Sequence, residues 1–128
     1  DNYKVKLLPW IKQLDNQGWL IYSTERTHQF LSQQGIASYF VNKTSEAKKP
    51  NIKDLIAQRK IAVIINIPSS MTGSQLTDGF LIRRLAIDHH IPLITNAQIA
   101  LISLQCLVNL WGKELPVESW QNLVLKKN

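Results

Sequence analysis

Apolar positions in this chain follow two alternating rhythms, one spaced by three and four residues and the other almost unbroken. Leu7, Leu8, Ile11 and Leu14 fall at helical spacing, which predicts a helix over Lys4 to Gln17, with Pro9 acceptable only in its first turn and Gly18 as its end. Trp19 to Ser23 then reads as a strand, Thr24 to Thr27 as a turn, and Thr27 to Gln34 as a short helix stopped by Gly35. Ile36 to Asn42, IASYFVN, is rich in β-branched and aromatic residues and predicts a second strand. Asn51 is placed to cap a helix over Ile52 to Arg59, whose buried stripe is Ile52, Leu55 and Ile56. Ile61 to Ile67, IAVIINI, has the continuous apolar character of a parallel strand covered on both faces. Thr77 to His89 predicts a helix with Leu81, Ile82, Leu85 and Ala86 inward, and Ile91 to Thr95 another strand. Thr95-Asn96-Ala97-Gln98 has the form of a capping box opening a helix to about Leu110, and Val117 to Val124 predicts one last short helix.

Strands alternating with helices at this spacing imply βαβ units. The fold class expected is α/β, a three-layer α/β/α sandwich around a parallel, Rossmann-like sheet. In such a sheet a ligand sits in the crevice outside the carboxyl ends of the strands. The residues expected there are Thr24 and Thr27, Asn42 and Lys43, Asn66 with Ser69 and Ser70, and Thr95 with Asn96. Hydroxyls, amides and one lysine hold an anion well, and a strand that feeds a helix through a turn with two threonines adds N–H groups and the positive end of the helix dipole. Nothing in that set is an obvious general base. The first predicted element is a helix with no strand before it, so the expectation is either that a first strand was cut away or that the domain is a fragment of a longer chain.

Composition narrows the partner. With 128 residues and 45% hydrophobic content the chain is read as one domain, residues 1–128. No apolar run reaches the roughly 18 to 20 residues needed to span a bilayer and the first residues lack a signal-peptide layout, so no membrane is expected and the compartment is read as cytoplasmic or an organelle matrix. A net charge of +6 asks for an anionic partner: a phosphorylated metabolite, a nucleic acid or an acidic protein face. The basic residues are dispersed, apart from Lys43 with Lys48-Lys49 and Lys126-Lys127, and no stripe of arginines and aromatics appears, which sets nucleic acid aside. The single cysteine, Cys106, excludes an internal disulfide and is expected as a small core residue. His28, His89 and His90 have no metal-ligand spacing and are read as surface or helix-end histidines, so no metal and no cofactor is expected. Arg83 and Arg84 are placed for a surface ion pair with Asp78 or Asp88, or for reaching an anion. Trp10, Trp111 and Trp120 are expected in the core or on a docking surface.

Taken together, the strand–Thr-x-x-Thr–helix segment at Tyr22 to Phe30, the strand end Phe40-Val41-Asn42-Lys43, Val63-Ile64-Ile65-Asn66, and Leu81-Ile82-Arg83-Arg84-Leu85-Ala86 through Ile91-Pro92-Leu93-Ile94-Thr95-Asn96 resemble the methylglyoxal-synthase-like (MGS-like) domain. The version they resemble is the C-terminal allosteric domain of the carbamoyl phosphate synthetase large subunit, over about Lys4 to Leu107. The resemblance implies a five-stranded parallel sheet and a strand-end site for a nucleoside monophosphate or for N-acetylglutamate. By position the effector-binding residues are Lys4, Thr24, Thr27, Lys43 and Asn66, with Ser69 nearby. Glu25-Arg26 stands where nucleotide sites carry a small glycine, and Glu25 is similar to the acetylglutamate-binding relatives, so both effector classes stay open. The carboxylates of methylglyoxal synthase itself fall near Lys49 and Gln75, which supply no base, so this domain is expected to be regulatory and not itself an enzyme. The implied partners are the small anion, the catalytic domains of the same large subunit, and a glutaminase subunit. The implied setting is pyrimidine or arginine biosynthesis in the cytoplasm, or the urea cycle in the mitochondrial matrix. Two further possibilities are a free-standing lyase of the methylglyoxal synthase type and an interaction module that binds no ligand.

Overall fold

The computed structural model describes residues 2–68 and 73–110. Five helices alternate with four short strands among them: α1 (Asn2–Asn16), β1 (Tyr22–Ser23), α2 (Glu25–Gln33), β2 (Tyr39–Phe40), α3 (Ile52–Ala57), β3 (Ile64–Ile65), α4 (Gly73–Asp88), β4 (Leu93–Ile94) and α5 (Ala97–Leu110). The helix expected over Val117 to Val124 lies outside the described residues, as do Trp111 and Trp120.

Each predicted strand survives only as a pair of residues, near the middle of the predicted run in β2, β3 and β4 and at its end in β1. β1 runs parallel to β2, with Tyr22 opposite Tyr39 and Ser23 opposite Phe40. β3 runs parallel to β4, with Ile64 opposite Leu93 and Ile65 opposite Ile94. The fold is therefore mixed α/β with two parallel strand pairs flanked by helices. Alternation along a strand sends neighbouring side chains to opposite faces, and β4 uses it. Ile94 packs with the cluster of Leu7, Leu14, Ala100, Leu104 and Val108 between α1 and α5. Leu93 packs with Ile56, Ile64, Ile82 and Ala86, between α3 and α4. β3 is less covered than its apolar sequence suggests, since Ile64 is buried but Ile65 and Ala62 are exposed.

Four helices end in the same way. Gly18, Gly35, Arg59 and His90 take positive φ. The following N–H groups reach back to close Schellman turns: Trp19 to Leu14 O, Ile36 to Leu31 O, Lys60 to Leu55 O and Ile91 to Ala86 O, at 2.9–3.0 Å. The glycines at 18 and 35 carry the stop signals expected of them, and Arg59 and His90 adopt the left-handed conformation that costs a residue with a Cβ more.

Two expectations about helices fail for clear reasons. Pro9 lies inside α1, well past its first turn. The N–H it lacks would have bonded the Val5 carbonyl, and Val5 and Pro9 are both exposed, so water can solvate that oxygen. Cys106 is exposed and not in the core. The buried seam of α5 is Ala100, Leu104 and Val108, spaced by four, and a residue two positions off that seam faces outward.

Candidate functional site

The Thr24–Thr27 segment is the start of α2. Thr24 sits at the N-cap with φ −76° and ψ 167°, the extended backbone expected of a capping residue, yet its side chain makes no cap hydrogen bond. Helix α2 begins one residue later, at Glu25, so Thr27 is already its third residue and both threonines are half-buried. The first-turn N–H groups of a helix have no partner within it, and they carry the positive end of its dipole.

Two other helix starts among the described residues are closed by their own side chains. Asn51 Oδ1 accepts from Lys53 N at 3.0 Å at the start of α3. Asn96 Oδ1 accepts from Gln98 N and Ile99 N at 2.9 and 3.1 Å at the start of α5. The cap of α5 is thus Asn96 and not Thr95. An amide one residue nearer the helix reaches the second and third N–H groups, the geometry an N-cap requires.

The first turn of α2 carries one charge of each sign, Glu25 and Arg26. The Lys4 ammonium is pushed below its ordinary value, first by partial burial and second by the Arg26 guanidinium. That repulsion puts Lys4, on the first turn of α1, within electrostatic reach of the first turn of α2. Arg26, on the first turn of α2, is thus the charge that Lys4 senses. Arg26 was no part of the expected site, although its place between the two threonines was the available signal.

Lys43 and Asn66 follow the ends of β2 and β3, at the carboxyl ends expected of them. Lys43 is exposed, and Asn66 is half-buried with its backbone N–H donating to Ile94 O at 2.9 Å. Ser69 and Ser70 lie outside the described residues. The loop carrying Lys43, Lys48 and Lys49 is built on Asn51, which is only 2% exposed. The Asn51 amide donates to Lys43 O and to Glu46 O, both at 2.7 Å. Asn42 Nδ2 donates to Pro50 O at 3.0 Å across the same loop.

Asp78 does something its sequence position did not suggest. It accepts from Thr44 Oγ1 and from Ser45 N, both at 3.2 Å, and so joins the loop after β2 to the helix after β3. The expected surface ion pair is Arg84 with Asp88, at 3.4 Å on one helix face. Arg83 Nε instead donates to Gly79 O at 3.3 Å.

His28 is half-buried, not the surface histidine expected, while His89 and His90 are exposed at the end of α4 as expected. The His28 ring meets Ser38 Oγ at 2.8 Å and the edge of Phe40, with centroids 5.9 Å apart. Spacing carried a signal for this: His28 lies three residues before Leu31, the buried anchor of α2, and so on its inner side.

Among the described residues no group of His, Cys, Asp and Glu could hold a metal ion. No described helix is long and apolar enough to cross a membrane. An open apolar groove lined by Arg83, Ala86, Ile87, Ile91 and Leu93 lies beside the start of β4, away from the strand ends. Its scarcity of hydrogen-bonding groups suits a small anion poorly.

Residues 6–95 match the model of the MGS-like domain. The chain is 36% identical over 107 residues to the carbamoyl phosphate synthase large chain of Agathobacter rectalis, an alignment covering 84% of this chain and 10% of that one. It is 30% identical over 128 residues to the C-terminal section of the large chain of Aquifex aeolicus, covering 96% of this chain and 23% of that section. Against the corresponding section of Methanocaldococcus jannaschii the identity is 34% over 123 residues, covering 96% and 20%. The chain thus spans about a tenth of the full-length relative and about a fifth of the two sections.

Proposed function

This chain belongs to the MGS-like domain family, and on that premise we propose that it is the effector-binding regulatory domain of a carbamoyl phosphate synthetase-type large chain. It binds a small anion of the nucleoside monophosphate or N-acetylglutamate class at the strand ends. The observation that carries this is the start of α2, where Thr24 occupies the N-cap with no side-chain cap hydrogen bond. Helix N–H groups left uncapped by a side chain supply a fork for an anion, and the positive end of the helix dipole favours it. Thr24 and Thr27 hold the anionic group, Lys4 neutralises it, and Lys43, Asn66 and Ser69 read the rest of the effector. The two strand pairs belong to one sheet of a three-layer sandwich, a placement supported by the opposite packing of Leu93 and Ile94 and by the Asp78 link between strand ends.

The domain itself does no chemistry in this proposal, since the positions of the synthase's carboxylates are near Lys49 and Gln75. Regulation requires that the effector favour one docked arrangement of the domain on its catalytic partners over another. Those partners are the rest of the large chain and a glutaminase subunit.

The test is a thermal-shift panel with UMP, IMP, N-acetylglutamate and inorganic phosphate. At least one should raise the melting temperature, and Thr24→Ala with Thr27→Ala should remove the rise. If no anion has an effect, the domain is an interaction module. If methylglyoxal forms from dihydroxyacetone phosphate, it is a lyase.

A further inference from the structure

We propose that His28 is a positioning residue for the anion site, acting through Ser38 and Ser23 without touching the anion. The inference rests on the effector site proposed above and adds the device that holds its threonines in place.

Ser23 is the last residue of β1, is 6% exposed, and directly precedes Thr24. Its Oγ donates to Ser38 Oγ at 2.9 Å. Ser38 stands immediately before β2, and its hydroxyl also meets His28 Nδ1 at 2.8 Å. A serine hydroxyl has one proton to give. In the relay Ser38, accepting from Ser23, gives its own proton to Nδ1, which places the proton of neutral His28 on Nε2. The donation runs from the strand end, through the neighbouring strand, to the first turns of the helix.

The other end of His28 closes the loop, because its backbone N–H donates to Thr24 O at 2.8 Å. Ser23 and Thr24 are therefore held from both sides of one residue, by side chain and by backbone. Phe40, whose partner across the strand pair is Ser23, fixes the ring laterally by its edge contact. A helix start that does not cap itself tends to fray. Binding through hydroxyls and N–H groups needs them placed to within about half an ångström. The relay is what keeps an uncapped turn open and still ordered.

Anion affinity should be measured by isothermal titration calorimetry with inorganic phosphate and with UMP on the full chain. His28→Ala and Ser38→Ala should each weaken binding on the order of tenfold. His28→Asn, whose amide oxygen can accept from Ser38 as Nδ1 does, should stay within about twofold of the unsubstituted protein. The double variant should bind about as weakly as either single one, because residues in one hydrogen-bond chain do not act additively. Unsubstituted affinity in His28→Ala, or His28→Asn as weak as His28→Ala, overturns the relay. Anion binding absent from the unsubstituted protein overturns the effector site and the relay together, whereas binding that ignores His28 overturns the relay alone. Nitrogen-15 NMR of the unliganded protein gives a readout independent of binding and of any variant's folding. Neutral His28 should be protonated on Nε2, and a ring protonated on Nδ1 overturns the proposal.

Discussion

The starts of α2 and α3 meet the same physical demand and answer it in opposite ways. Each follows a parallel-running segment, each has a short polar residue at the N-cap in extended conformation, and each leaves first-turn N–H groups to be satisfied. Asn51 answers from within, capping α3 with its oxygen and gathering the carbonyls of the preceding loop with its amide. Thr24 makes no side-chain cap bond, and Glu25 and Arg26 follow it. A helix start that the chain closes itself offers little to a ligand, and the one left open is where the proposed effector binds.

The largest effect expected from attacking this contrast is at Asn51. Asn51→Ala removes the cap and both loop anchors from a fully buried position and should cost about 3 kcal/mol in urea-induced unfolding. A loss no greater than that of an ordinary exposed cap would show that the loop is not built on it. Next is the double substitution Thr24→Ala with Thr27→Ala. Here the free protein should change little, while the stabilisation by an anion held at about 100 times its dissociation constant, about 2.7 kcal/mol, should vanish from the thermal-shift curve. Making α2 resemble α3 is a sharper and smaller change. Thr24→Asp supplies a strong capping carboxylate, which should raise the stability of the free protein by about 0.5 kcal/mol and abolish anion binding by occupying the N–H groups and repelling charge. A Thr24→Asp protein that still binds phosphate normally would separate the site from the helix start.

The smallest effect concerns pH. A lysine whose folded pKa lies below its unfolded value binds fewer protons in the folded state, so stability should rise with pH between that depressed value and the ordinary lysine value of about 10.4. For Lys4 the causes are burial and then Arg26. Tyr3, raised by burial, acts in the opposite sense as pH climbs past its ordinary value. Comparing Lys4→Met with the unsubstituted protein isolates the lysine. The variant should lack the rising component, and saturating phosphate should shrink it in the unsubstituted protein by holding the ammonium charged.

Much of this was legible in the residues. The rhythm of Leu7 and Leu14, of Leu55 and Ile56, and of Ile82 and Ala86 gave the helices, and each of these side chains is buried. Glycines at 18 and 35 marked helix ends because their missing Cβ leaves the left-handed turn open to them. The membership in the MGS-like family was legible as well, from strand-end motifs in order. Strand lengths were not, because apolar character sets what is buried and not which backbone groups find a ladder partner. Cys106 was misplaced because its apolar surroundings in sequence wrap around the whole of α5, and only the seam of Ala100, Leu104 and Val108 decides which side faces α1. Asp78 and His28 were missed for a common reason. Their partners, Thr44 with Ser45 and Ser38, lie on other elements, and no local pattern announces a hydrogen bond across a strand gap.

The brevity of the strands has a consequence for how the domain opens. Each parallel ladder pairs only two residues of each strand, whereas α1 and α5 share the broadest packed surface among the described elements. In native-state hydrogen exchange the slowest amides should lie along Leu7 to Leu14 and Ala100 to Val108, and the strand ends should exchange by smaller, separate openings. Effector binding would then be visible as a slowing confined to the first turn of α2 and the amides beside it, with the α1–α5 pair as the unchanging reference.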